Sequence, residues 1–303
     1  MSFELHKRKH IDNELRKTAR RELRRASETL SKGDPGAFSI SVHEARKRVK
    51  KVRAVLEVIE RSGGDVPGKD RKRLEGAGRK LSALRDGAAI IGTFDRVRRR
   101  YPKRLPEHTY GILRRGLVRA HDLRERRARR DGVVSDAARK LEKTRKGATR
   151  WTVPAFELSQ LIDVAAGAYG RSRKAMKHAR ETGQSATLHE WRKRVKMLWY
   201  QLRLVKPLTT GVAPLVADLK RLETELGEDH NLVVLGATLR SCRDVRSMGG
   251  EVRQIEQLAL GMRQPLRKRA FALGRRLFRR KRRAFDRWLR RSSKQTRPQR
   301  AAA

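Results

Sequence analysis

Along this chain apolar residues return every three to four positions in segment after segment, the period of a helix with one buried face. The clearest stripe is Val42, Ala45, Val49, Val52, Leu56 and Ile59, and a second of like spacing is Leu188, Trp191, Val195, Leu198, Leu202 and Val205. Proline is scarce and β-branched runs are absent, so nearly every segment is expected to be helical. The pattern predicts a helix over about 4–30, closed by Lys32-Gly33-Asp34-Pro35-Gly36, and one from Ser39 or Ser41 as N-cap to Ser62-Gly63-Gly64. A helix over about 69–100 and a helical region over 106–146, interrupted near Asp131-Gly132, complete the first half. After a joint over 147–154 come helices over 155–181 and 187–206, a break over 207–214, a helix to about Arg246, a Gly249-Gly250 turn and a final helix to about Arg290. In that helix Ala270, Phe271, Leu273, Leu277, Phe278, Ala284, Phe285 and Trp288 share one arc, and Lys281 falls inside it, where a lysine must snorkel, pair or face a ligand. The polar tail over 292–303 is expected to be disordered.

Beside each apolar stripe runs a basic row. His43, Arg46, Lys50 and Arg53 flank the first stripe, and His189, Arg192 and Lys196 flank the second, with Trp199 where Arg53 stood. The rows belong to nearly identical octapeptides, His43–Lys50 and His189–Lys196, which differ at one position and lie 146 residues apart. A second pair, Leu81-Ser82-Ala83-Leu84-Arg85-Asp86 and Leu226-Gly227-Glu228-Asp229-His230-Asn231, repeats at a spacing one residue shorter. Two landmarks in one order at nearly one spacing predict a duplicated unit of about 1–147 and 155–291 in a single domain, with the basic rows turned toward a groove or seam. Arg48 and Lys51 point away from it and read as solvated charges, as does the run Arg124–Arg130.

Charge is the strongest single constraint. In 303 residues, 78 Lys and Arg against 33 Asp and Glu leave a net charge of +45, a field that a compact fold tolerates best with a polyanion bound. Nucleic acid, an acidic membrane and polyphosphate all qualify on charge. The single Cys242 excludes an intramolecular disulfide framework and reads as a small residue in or near a core. No stretch reaches the length of a membrane span and the N-terminus has no signal-peptide core, so a soluble, cytoplasmic protein is expected.

Enzyme chemistry finds no support in the motifs: there is no Walker-type glycine loop, no His-Glu-x-x-His and no cysteine pair. His6 and His10 sit four apart and His43, His189 and His230 fall in the repeated landmarks, but those three stand among Arg and Lys that would repel a metal cation. No metal and no cofactor is expected. A phosphate polymer fits better, because arginine forks one helical turn apart match successive phosphate oxygens, and a histidine beside them would be driven toward protonation. Nucleic acid, as a weak non-specific or nucleoid-type ligand, is the alternative; against it, aromatic residues make up 5% of the chain and sit mostly at core spacing.

These residues resemble the CHAD family, the conserved-histidine α-helical domain. The resemblance rests on His43-x-x-Arg46-x-x-x-Lys50-x-x-Arg53, on His189-x-x-Arg192-x-x-x-Lys196 followed by Trp199-Tyr200, on Leu226–Leu232, and on Ala270-x-x-x-Gly274-x-x-Leu277-Phe278-x-x-Lys281. It implies an all-α fold of two pseudo-symmetric four-helix units around a basic central cavity that binds inorganic polyphosphate without catalysis, at polyphosphate granules or as a scaffold there. Carried over, phosphate contacts fall on His43, Arg46, Lys50, Arg53, His189, Arg192 and Lys196, followed by Arg79, Arg85, Lys220, Arg221 and Lys281. Lys47, Lys72, Arg73, Lys193 and His230, on the same basic segments, complete the candidate set. Two departures stand out: Trp199 for a basic residue, which would shorten the second row, and His230-Asn231 for the Arg85-Asp86 pair, which puts a hydrogen bond in place of a charge. Family members also occur fused to a CYTH triphosphatase, but the Glu-x-Glu-x-Lys signature is absent, which disfavours hydrolysis.

Overall fold

The computed structural model describes residues 3–5, 10–32, 37–155 and 157–294, with the backbone alone for Ala83, Arg85, Asp86 and Lys294. His6, the break over 33–36, the side chain of Arg85 and the tail beyond Lys294 lie outside the described residues. The described residues form ten α-helices, in order: α1 (Ile11–Ser31), α2 (Phe38–Arg61), α3 (Gly68–Arg100), α4 (Glu107–Arg130), α5 (Val133–Gly147), α6 (Leu158–Thr182), α7 (Ser185–Val205), α8 (Val212–Ser241), α9 (Gly249–Leu277) and α10 (Arg282–Lys294). Among the described residues there is no strand beyond an isolated bridge between Asp65 and Thr152. No described helix is long and apolar enough to cross a membrane.

Helix α1 packs on α2 and α5, α3 on α2 and α5, α7 on α6 and α8, and α9 on α8. The two motif helices α2 and α7 touch, as do the two longest helices, α3 and α8. Every residue of both apolar stripes is buried, at about 1.5–3 kcal/mol for each large aliphatic side chain. A first core takes in the stripes of α2 and α7 with Leu74, Ala77 and Leu81 of α3 and Leu219, Leu222 and Leu226 of α8. A second core begins further along the same two helices, with Ile90, Phe94 and Val97 against Leu232, Leu235 and Leu239, closed by α4 and the start of α9. Between the two cores, the middles of α3 and α8 are left to polar lining.

Several boundaries differ from the periodicity, each through tertiary packing. Helix α1 starts at Ile11, and residues 3–5 run against α7 instead: the Leu5 amide donates to the Leu204 carbonyl at 3.0 Å, and Phe3 meets Tyr200 edge-on. Helix α2 begins at Phe38, so Ser39 and Ser41 lie within its first turn and Ala37 is the N-cap; Phe38 packs on the core with the Arg129 guanidinium 4.3 Å over its ring. Pro214 lies in the first turn of α8, where its missing amide costs nothing, and α8 stops at Ser241 so that Cys242 and Val245 enter the second core. Gly249 and Gly250 open α9 rather than forming a separate turn.

The largest difference is at the end of the chain. The predicted single helix breaks between Leu277 and Arg282. The carbonyls released there are captured by α6: Tyr169 donates its hydroxyl to the carbonyls of Leu277 and Arg280 at 3.0 and 3.1 Å, and Arg173 Nε donates to that of Phe278 at 3.1 Å. The break also turns Phe285 face-on to Tyr169, with centroids 3.9 Å apart. Lys281 therefore sits in the turn and is exposed, not in an apolar arc. Ser292 and Ser293, expected in a disordered tail, are buried in α10, where the Ser292 carbonyl accepts from the Thr210 amide at 3.0 Å.

Candidate anion-binding site

Three adjoining clefts open where α2, α3, α7 and α8 approach, and Arg46 and Lys50 of α2 line all three. The first, about 530 Å³, is lined by Arg46, Lys50 and Arg53 from α2, by Arg192, Lys193 and Lys196 from α7, and by His189 and His230. Among the described residues no carboxylate lines this cleft, which carries six cations. The second, about 500 Å³, shares Arg46, Lys50, Arg192, Lys196, Tyr200 and Asn231 with the first and adds His43, Lys47, Trp199, Arg203, Lys220 and Glu223. The third, about 360 Å³, runs along α2 and α3 past Arg53, Gly78 and Arg79.

The helical period explains why these side chains converge. A row displaced by one flank from a buried stripe must emerge at the border between helices, and α2 and α7 present their rows to the same space. Arg46 is buried, Lys50, His43, Arg192 and Lys196 are half-buried, and Lys47, Arg53 and Lys193 are exposed. The second row is not cut short at Trp199. Arg203, a turn further along α7, lines the second cleft and lies 4.9 Å from the Trp199 ring, with Lys220 Nζ at 5.3 Å, so the indole is a platform for cations.

The histidines form an unusual corner. The rings of His189 and His230 lie 4.0 Å apart, tilted by 31°, and His189 Nδ1 is buried with no hydrogen-bond partner. Burial, then His230, Lys193 and Arg192, press the His189 pKa down to about 4, and burial followed by Arg192 lowers that of His230. Both rings are therefore neutral near pH 7. Tyr200 is likewise held as the phenol by burial and by Glu223.

Not every candidate joins this site. Lys72 and Arg73 line none of the three clefts; Arg73 donates to the buried Asp70 at 2.9 Å, which also accepts from Trp151 Nε1 at 3.1 Å. Arg221 and Lys281 are exposed outside the three clefts, Arg221 beside Asp218 at 3.5 Å. Arg48 and Lys51 are not solvated either: each donates to Glu22 Oε2 at 3.2 Å, and Glu22 is fully buried. The run Arg124–Arg130 is exposed apart from Glu125 and Ala128.

Ser82, Tyr200, Asn231 and Glu223 also line the clefts without belonging to the basic rows. For Glu223 a signal exists, since an acid at i+4 from Leu219 and i−3 from Leu226 interrupts an apolar stripe. Among the described residues no group of three or more His, Cys, Asp or Glu could hold a metal ion.

No curated protein matches the sequence. Among solved structures, the chain is similar to a crystal structure of the CHAD domain from the plant Ricinus communis, with a TM-score of 0.61 and 16% identity over 88% of this chain and 89% of that one. At that identity the likeness is one of fold. The CHAD domain family model matches residues 16–240, which span both basic rows and both landmark pairs, and the chain belongs to the CHAD domain family.

Proposed function

We propose that this protein binds inorganic polyphosphate, without transforming it, along the connected clefts between α2, α3, α7 and α8. The observation that carries this reading is the meeting of the two rows: Arg46 and Lys50 from one helix and Arg192 and Lys196 from another line the same two clefts. A polymer with a charge on every unit can satisfy fixed donors in series, and each phosphate accepts several charge-assisted hydrogen bonds. The CHAD family is associated with polyphosphate binding, which agrees with this chemistry. We read residues 1–291 as one domain of two related halves, with the repeated octapeptides on α2 and α7 and the second landmarks in the middles of α3 and α8. His43, Lys47, Arg53, Arg79, His189, Lys193, Lys220 and His230 border the same path. The reading is non-catalytic because the lining supplies donors rather than a nucleophile with its base. With that polymer as ligand, we propose a place in the cytoplasm, at polyphosphate granules.

Titration with polyphosphate and with single-stranded DNA of matched charge, over a salt series, tests the reading. Polyphosphate is expected to bind more tightly at every salt concentration, with log affinity falling against log salt by about 0.7 per phosphate engaged. DNA binding as tight as polyphosphate binding would show a general polyanion surface instead.

Proton linkage provides a second test. The His189 pKa of about 4 in the folded, empty protein lies below the ordinary 6.5, so the unfolded chain takes up that proton first. Ligand-free stability is therefore expected to decline as pH falls from 6.5 toward 4. Phosphates in the cleft offset Lys193 and Arg192 and raise both histidine pKa values, so binding takes up protons. Affinity should increase between about pH 7 and about pH 5, and the double variant His189→Asn, His230→Asn should flatten that profile. A parent profile without slope contradicts the placement of the histidines beside the polymer.

A further inference from the structure

Helix α8 carries an acid inside its apolar stripe. Leu219, Leu222 and Leu226 are buried, and Glu223 among them is 3% exposed. Lys196 Nζ donates to its Oε1 at 2.8 Å, Arg192 Nη2 to the same oxygen at 3.1 Å, and Lys220 Nζ to Oε2 at 2.8 Å. Burial would raise the Glu223 pKa, but Lys196, Lys220 and Arg192 override it and hold the carboxyl far below the usual range. Gly227, one turn on, permits the approach: a Cβ there would stand 3.1 Å from Arg192 Nη2. Arg192 and Lys196 line the first two clefts, Glu223 and Lys220 line the second, and Arg192 Nε is buried with no hydrogen-bond partner.

From the side of the cations, this carboxylate resembles a bound phosphate: an oxyanion taking several charge-assisted bonds from a guanidinium and two ammonium groups. We infer that Glu223 is a built-in counter-anion, which holds Arg192, Lys196 and Lys220 together in the empty protein and competes with the incoming polymer for them. The inference rests on the polyphosphate reading above. Its physical basis is linkage: an interaction that stabilises the empty state more than the occupied one opposes binding by the difference. Lys196 shows the tension, because burial lowers its pKa and Glu223 is what opposes that loss of charge. A residue that merely positioned the cations would have the opposite effect on affinity when removed.

Glu223→Gln keeps the shape and removes the charge. Calorimetric titration with polyphosphate of defined length at low salt is expected to show the variant binding about fivefold to tenfold more tightly than the parent, the scale of one screened ion pair. The salt slope should steepen by about 0.7, one further phosphate engaged, and the ligand-free Tm should fall more than the polyphosphate-saturated Tm. Should the glutamine variant not fold, Glu223→Asp keeps the charge but withdraws it by one methylene, and is expected to tighten binding by a smaller factor. Unchanged or weaker binding by the folded variant overturns the inference while leaving the polyphosphate reading intact. A parent protein that does not bind polyphosphate overturns both.

Discussion

Replacing Arg46, Lys50, Arg192 and Lys196 by alanine in one chain, on a Glu223→Gln background, is expected to weaken polyphosphate binding at low salt by about 700-fold. The estimate takes about 1 kcal/mol for each of four charged contacts, and each 1.4 kcal/mol is about tenfold. The glutamine background matters, because Arg192 and Lys196 are two of the three cations that balance Glu223. Removing them alone would leave a buried carboxylate undercompensated, at about 3–5 kcal/mol, and lost folding would be mistaken for lost binding. Circular dichroism should show the helix content retained, and affinity is compared with that of Glu223→Gln alone. The control strips the exposed charges of the last two helices and the turn between them, at Arg275, Arg276, Arg279, Arg283 and Arg287, all outside the three clefts. If the control abolishes binding and the four-residue variant does not, the terminal helices hold the polymer and the cleft reading is wrong.

Asp229→Ala is expected to destabilise the fold strongly while leaving binding alone. Asp229 is 3% exposed, and its Oδ1 accepts from Arg263 Nε at 3.0 Å and Arg267 Nε at 2.9 Å. Those arginines continue to Ser185 Oγ and the Gly183 carbonyl, so one carboxylate ties α8 and α9 to the start of α7. Its loss leaves two arginines on a largely buried face without their counter-charge, a cost of about 3 kcal/mol and a Tm lower by about 5 °C or more. Asp229 lines none of the three clefts, so the affinity of the folded variant should match the parent's. His230→Ala, its neighbour in the same repeated landmark, should do the reverse: little change in Tm and a weaker, flatter pH dependence of binding. Equal effects on both properties from both variants would show that the landmark has one role, not two.

Much of the helical framework was legible in the chain. The stripes of α2 and α7 are buried residue for residue, and the interruption at Asp131-Gly132 lies where α4 gives way to α5, with Gly132 in the left-handed region at φ 59° that favours glycine. The end of α9 was not legible, since helical spacing continues unbroken through Lys281. What stops the helix is Tyr169 and Arg173, more than a hundred residues earlier, donating to its loose carbonyls. The rows were legible as rows because Arg46, Lys50, Arg192 and Lys196 stand one turn apart beside a stripe, and the clefts gather them. Arg48, Lys51 and Arg73 looked no different from them along the chain, yet they close on Glu22 and Asp70.

That contrast has a single physical origin. Helix formation and the choice of buried face depend on neighbours three and four positions away, so periodicity settled that most segments are helical and which flank of α2 and α7 is basic, though not every helix end. Whether a given cation closes on Glu22, Asp70 or Asp229 or turns into the clefts depends on distance in space, because ion pairing acts at contact range. Those distances arose only when helices remote in sequence packed together.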